Sequence, residues 1–116
     1  MGKHPRLSSS KEFDRIYKKG SSVANELLVL RFFKRKDDQQ SKLGIITTRR
    51  IGAAILRNRA RRLIREAYRK HADEVNDGYD LAIVPRRTII GKKLCEVEEA
   101  LLRLLGRAGL IKKRKT

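Results

Sequence analysis

The chain is expected to fold as an α+β sandwich, one β-sheet covered by packed helices. Three observations lead there. Three segments repeat apolar residues at the helical spacing i, i+3, i+4. Three or four short runs are rich in β-branched or bulky apolar residues. These segments follow one another as helix, two or three strands, helix, strand, helix, an order that pairs one sheet with a layer of helices. The 116 residues suit a single domain over 1–116, with a basic extended N-terminus over 1–8 and a basic tail over 108–116.

Met1 to Leu7 is basic, holds Pro5 and is expected to run extended. The first helix begins at Ser9, because Ser9 and Glu12 stand at the spacing of a capping box. Phe13, Ile16 and Tyr17 give it one apolar face, and Lys18 and Lys19 suit its last turn. Gly20 is expected to stop it in the left-handed conformation. Ser21 to Asn25 is a candidate short strand, and Leu27 to Lys34 a stronger one. The polar run from Arg35 to Ser41 reads as a loop. Leu43 to Thr48 ends on four β-branched residues and is the next strand. Gly52 loosens the backbone before a long helix over Ile55 to Ala72. Asp77-Gly78 marks a turn, and Tyr79 to Val84 is a strand whose ladder Pro85 closes. In the last helix, Lys92 to Arg107, Leu94, Val97, Leu101, Leu104 and Leu105 recur at helical spacing. Cys95 on that helix reads as a small core residue.

Lys and Arg number 30 against 13 Asp and Glu, for a formal net charge of +17. Such a charge repels itself in the free chain and becomes favourable when a polyanion neutralises it and releases counterions. Nucleic acid is the obvious polyanion and an anionic membrane surface the alternative. The membrane reading is weak, because Arg31 and Lys34 interrupt the longest apolar run, Leu27 to Phe33. Met1 to Ser10 lacks the apolar centre of a signal peptide. The single cysteine excludes an internal disulfide and a cysteine-rich zinc site, and a reducing cytoplasm fits.

The densest information lies between Thr48 and Arg69. On a helix, Leu56, Ala60, Leu63, Ile64 and Ala67 fall on one side, and Asn58, Arg61, Arg62, Arg65 and Arg69 on the other. Arg57 and Arg59 flank both faces in the first turn. An ordinary solvated face mixes signs, whereas Glu66 alone cannot neutralise this set. Arginine presents a planar fork that holds phosphate bidentately and stacks on bases.

This stretch resembles the signature of the protein subunit of bacterial ribonuclease P. The resemblance rests on Thr48-Arg49-Arg50, Gly52, Arg57-Asn58-Arg59, Arg61-Arg62 and Leu63-Ile64-Arg65-Glu66. Two flanking blocks extend it over most of the chain. They are Arg6-Leu7 with Glu12-Phe13 and Tyr17 to Asn25, and Tyr79 to Arg86.

The resemblance implies an αβββαβα fold like the second domain of the fifth small-subunit ribosomal protein, with the arginine helix in a left-handed βαβ crossover. Pattern reasoning alone would choose the opposite hand. It implies binding to a catalytic ribonuclease P RNA and to precursor tRNA, whose 5′ leader the complex removes. The RNA carries the active site, and Mg²⁺ is bound mainly by the RNA. No catalytic residue is expected in the protein. Arg49, Arg50, Arg57, Asn58, Arg59, Arg61, Arg62, Arg65 and Arg69 are then expected to bind RNA. Phe13, Tyr17 and Arg31 are expected to line a leader-binding cleft between the first helix and the sheet. Arg31 stands where family members often carry an aromatic residue. Ala53 stands where many carry a polar or basic one.

Three rivals remain. A self-contained nuclease would need converging carboxylates or histidines, but His4 lies in the N-terminal segment and His71 reads as a surface residue. The pairs Asp37-Asp38 and Asp73-Glu74 read as solvated charge. A ribosomal protein or general RNA chaperone fits the composition as well. A helix-turn-helix DNA binder would want varied base-reading side chains where this helix offers a comb of arginines, so DNA is not expected as a partner.

Overall fold

The computed structural model describes residues 5–112. The expected features at 1–4 and 113–116, His4 and the end of the basic tail among them, lie outside the described residues. The elements are α1 Ser10–Lys19, β1 Ser21–Ala24, β2 Leu28–Lys34, β3 Lys42–Ile45, α2 Ala54–His71, β4 Tyr79–Pro85 and α3 Leu94–Arg107. They form a four-stranded sheet in the order β1-β2-β4-β3. β2 pairs antiparallel with both β1 and β4, and β3 runs parallel to β4. This is the α+β sandwich that the order of segments predicts.

Strand alternation sorts the sheet into two faces. Leu28 and Leu30 of β2, Leu43 of β3, and Leu81 and Ile83 of β4 point to one side. There they meet Ala60, Ile64, Ala67 and Tyr68 of α2, and Val97, Ala100, Leu101, Leu104 and Leu105 of α3, in the main core. Ala82 points to the other side and packs with Ile16 of α1 and Leu7, flanked by Phe13, Phe33 and Ile46. Phe32 and Phe33 therefore part company, Phe32 to the main core and Phe33 beneath α1.

The β3–α2–β4 crossover has an unusual hand, and residue chirality reveals it. Ile83 turns its side chain into the α2 core, while its carbonyl accepts a hydrogen bond from the Ile46 N–H at 2.9 Å on the β3 side. Viewed from α2 with β4 running upward, an L-residue whose side chain faces the viewer turns its carbonyl to the right. β3 thus lies to the right of β4, and the chain passes from right to left in front of the sheet. That is a left-handed crossover, against the usual preference.

Several local expectations change. β3 ends at Ile45 rather than Thr48. Thr48 instead accepts a hydrogen bond from the Arg50 N–H at 3.3 Å and caps a 3-10 turn over Arg49–Ile51. Gly20 is extended, at φ −87°. Its value is closeness: a Cβ there would lie 2.5 Å from the carbonyl oxygens of both Ile16 and Phe32. Gly52, at φ 129°, does need glycine's freedom. Cys95 is exposed, because it sits on the side of α3 opposite Val97 and Leu101. Of the tail expected from residue 108, Leu110 is buried and Ile111 bridges to Val75. Pro5 and Leu7 lie alongside β3, through hydrogen bonds Leu43 N–H to Pro5 O and Leu7 N–H to Leu43 O, each at 3.0 Å.

His71 is not a free surface residue. Its Nδ1 lies 2.7 Å from Glu74 and its Nε2 2.5 Å from Glu98, so it ties the end of α2 to α3. Lys70 is 3.8 Å from the same Glu98. Burial pulls the imidazole pKa down, but hydrogen bonds and attraction from Glu98 and Glu74 outweigh it and raise the pKa above its ordinary value. A folded pKa raised in this way stabilises the protein below the unfolded value of about 6.5, and the contribution is lost as pH rises through the folded pKa. His71→Gln should therefore lower stability by about 1 kcal/mol at pH 6 and hardly at all at pH 9. Thermal melts of both proteins at the two pH values check this; an equal deficit at both would rule out the charged clamp.

Candidate nucleic-acid interface

The cationic face of α2 forms because its opposite face is held by the core. Ala60, Ile64 and Ala67 are buried, and Leu56 and Leu63 pack against them. The arginines then divide by how they are held. Arg57 donates to the Gly52 carbonyl at 2.7 Å, closing the turn that begins the helix. Arg61 donates to Asn58 Oδ1 at 3.0 Å and to Thr47 Oγ1 at 2.5 Å. Burial, together with repulsion from Arg6 and Arg61, pushes the Arg65 pKa down. Arg49, Arg50, Arg59, Arg62 and Arg69 are exposed, and none of them appears in a side-chain hydrogen bond or ion pair among the described residues. Ala53 is the N-cap and supplies no capping side chain.

α1 lies across the second face of the sheet. Its start carries the expected capping box: Glu12 N–H donates to Ser9 Oγ at 3.2 Å, and Ser9 N–H donates to Glu12 Oε1 at 3.2 Å. Glu12 also accepts from the Ser8 N–H and from Lys42 Nζ of β3, each at 3.0 Å. The Ser8 bond leads these in lowering its pKa to about 2. Phe13 is partly buried over Gly44, where a Cβ would lie 2.5 Å from the ring. Tyr17 is 52% exposed. The Arg31 guanidinium stands 4.5 Å from its ring centroid, joining helix to sheet by a cation–π contact. Ser22 pairs with Arg31 in the neighbouring strand, so a small polar residue flanks the stack.

The spacing of α1 above the sheet rests on residues that the sequence reading did not single out. Asp80 of β4 is fully buried. It accepts from Arg15 of α1 and from Arg35, just past β2, each at 2.7 Å. Arg35 also holds Asp37 at 2.9 Å. The Arg15 guanidinium further covers the Phe33 ring, 4.9 Å from its centroid. The available signal was one acid, Asp80, at the head of an otherwise apolar strand.

Eight of the twelve predicted residues gather in three places, and Arg49, Arg50, Arg57 and Arg69 stand apart from them. Phe13, Arg61 and Arg65 line one recess of about 210 Å³ with Arg6 and Gly44, at the junction of α1, β3 and α2. Tyr17 and Arg31 form the stack between helix and sheet. Asn58, Arg59 and Arg62 line a separate recess with Ile55 and Leu56. Among the described residues, no three His, Cys, Asp or Glu side chains converge as metal ligands, and no helix is long and apolar enough to cross a membrane. A surface with unpaired arginine forks beside a cation–aromatic pair can hold phosphates and stack on unpaired bases.

Comparison with known proteins gives a consistent picture. The family model described as Ribonuclease P matches residues 1–109. The chain is 38% identical over 111 residues to the ribonuclease P protein component of Clostridium novyi, covering 95% of this chain and 98% of the relative. It is 35% identical over 112 residues to that of Clostridium acetobutylicum, covering 94% and 92%. Among solved structures, the RNase P protein of Staphylococcus aureus superposes with a TM-score of 0.85 at 30% identity, covering 95% of this chain and 100% of the other. The RNase P protein of Thermotoga maritima superposes with a TM-score of 0.80 at 34% identity, covering 90% and 97%.

Proposed function

The chain belongs to the ribonuclease P protein family, and on that premise we propose that it binds a catalytic ribonuclease P RNA and the 5′ leader of precursor tRNA. In this reading it assists Mg²⁺-dependent removal of the leader in the cytoplasm. The observation that carries the reading is the row of arginines along α2 and the turn before it, five of them exposed and paired with no acid among the described residues, on a chain of net charge +17.

Two phosphate backbones must come together for an RNA to cleave an RNA. A strongly cationic protein between them lowers that repulsion. Arg49, Arg50, Arg59, Arg62 and Arg69 offer free forks to phosphates of the catalytic RNA. Arg57, Asn58 and Arg61 are held by contacts within the chain and present the rest of their donors in fixed directions. Tyr17 and Arg31 take unpaired leader bases by stacking, which asks for no particular sequence. Phe13 supplies the apolar floor, and Arg61 and Arg65 beside it hold the leader's phosphates. When bound, Mg²⁺ would activate the attacking water and stabilise the leaving oxygen. In this reading the metal is held mainly by the RNA.

Reconstitution with a bacterial ribonuclease P RNA at low Mg²⁺ tests the reading. The protein should restore leader removal and do nothing alone. Tyr17→Ala should weaken precursor tRNA by about tenfold and leave mature tRNA unchanged. Equal loss for both substrates would take Tyr17 out of the leader cleft. Co-sedimentation with ribosomal subunits, with neither cleavage nor binding in the reconstitution, would favour a ribosomal protein or RNA chaperone instead.

A further inference from the structure

A phosphate comb has no use for exposed aliphatic side chains, yet the open end of α2 carries one. Ile55 is 77% exposed in its first turn, and Ile90, beyond β4, is 40% exposed. They are not isolated. Ile55 and Leu56 line an open recess of about 600 Å³ with Asn58, Arg59 and Arg62. Leu56 and Arg59 also line the adjoining recess, whose other walls include Leu63, Ile89 and Ile90. The second recess is shallow, about 10 Å³, and shares Leu56 and Arg59 with the first, so apolar side chains continue from Ile55 to Ile90.

The charge around this strip is of one sign. Its charged lining residues are Arg59 and Arg62, and no acid lines either recess. Neither arginine is engaged by another described residue. Ile55, Arg59 and Arg62 stand at i, i+4 and i+7, one above the other on the helix. Asn58 uses its carbonyl oxygen to accept from Arg61, which leaves its amide N–H groups to donate outward. An apolar floor, an outward amide donor and two free guanidinium forks match the parts of a nucleotide: the face of a base, an acceptor on its edge, and the phosphates on either side. A second copy of this chain would bring cations against cations.

We propose that this strip accepts one unpaired nucleobase of the catalytic RNA, laid on Ile55 and Leu56, with its flanking phosphates on Arg59 and Arg62. The inference rests on the RNA-binding reading above and adds a salt-independent, apolar term to it. Aliphatic side chains serve in this way where proteins wedge against or between bases.

Ile55→Ala and Ile90→Ala separate this strip from the phosphate contacts. Both residues are exposed, so neither change disturbs the core, and alanine favours the helix at position 55. Affinity for ribonuclease P RNA is measured across a salt series, and the RNA is probed with a reagent that methylates the edges of unpaired bases, where the Asn58 amide would shield the bound one. Ile55→Ala should weaken binding by about tenfold with the salt slope unchanged, and one base protected by the wild-type protein should become reactive. Ile90→Ala should weaken binding less, with the same slope. Wild-type affinity and an unchanged protection pattern in both variants would overturn the strip while leaving the RNA-binding reading intact. A wild-type protein that fails to bind the RNA at all would overturn both. Self-association of the wild-type protein that Ile55→Ala abolishes would assign the strip to a second copy and overturn the proposal.

Discussion

Asp80→Ala should destabilise the protein by about 3–5 kcal/mol, the range for breaking a buried ion pair on one side. Asp80 is fully buried, and the side chain of Arg35 is only 8% exposed. Removing the carboxylate takes from Arg35 Nη1 the charged partner it holds at 2.7 Å and leaves it the Tyr79 carbonyl, on a side chain that water scarcely reaches. Arg15, at 41% exposure, can turn to solvent and loses less. With total stability of about 5–15 kcal/mol in proteins of this kind, much of the molecule's margin goes. Asp80→Asn keeps one acceptor oxygen and should lose distinctly less. Asp80→Leu combined with Arg35→Met should recover part of the loss, because an apolar pair of similar volume leaves no charge stranded. Urea denaturation curves read all three. A loss below about 1 kcal/mol for Asp80→Ala would mean that the bonds Arg35 already makes to Asp37 and to the carbonyls of Gln39, Gln40 and Tyr79 satisfy it without Asp80.

The largest effect on binding should come from Arg59→Ala, Arg62→Ala and Arg69→Ala together. If each holds one phosphate, counterion release predicts a salt slope reduced by roughly 0.7–0.9 per contact, and affinity for the RNA reduced on the order of 10²–10³-fold near 0.1 M salt. The fold itself should be untouched or slightly firmer, since three exposed like charges have gone. Replacing the same three residues by lysine should keep the slope and lose part of the affinity, because lysine keeps the charge without the bidentate fork. Filter binding across a salt series gives slope and affinity together. A triple variant with the wild-type slope would show that these arginines do not touch phosphate.

Much of this architecture is legible in the residues. Ser9 and Glu12 announce the start of α1, and the spacing of Leu56, Ala60, Leu63, Ile64 and Ala67 separates the core side of α2 from its arginines. Both are local signals, set by one turn of backbone or one helical period. What stays hidden depends on distant neighbours. Gly20 does end α1, but its constraint comes from the carbonyls of Ile16 and of Phe32 on β2 rather than from a left-handed turn. His71 looks like a surface residue because Glu98, its partner, is 27 residues away. Asp80 reads as part of a strand until α1 and Arg35 are brought to it. The hand of the crossover runs against general expectation, so only the resemblance implied it beforehand, and it becomes derivable once Ile83 has a definite side for its carbonyl and another for its side chain. Phe13 and Tyr17 share a spacing but not a fate: one lies over Gly44, the other meets solvent under Arg31.

The strand order has a bearing on how the chain is made. β4 lies between β2 and β3 yet follows both in sequence. During synthesis the two outer partners leave the ribosome first and wait, each with an open edge, for the strand that joins them. Exposed strand edges are sticky while they wait. α2 emerges in that same interval, with its arginines already free of any acid. The nascent chain therefore carries its arginine helix while the sheet is still incomplete, and the first polyanion it meets acts on a molecule still choosing its shape.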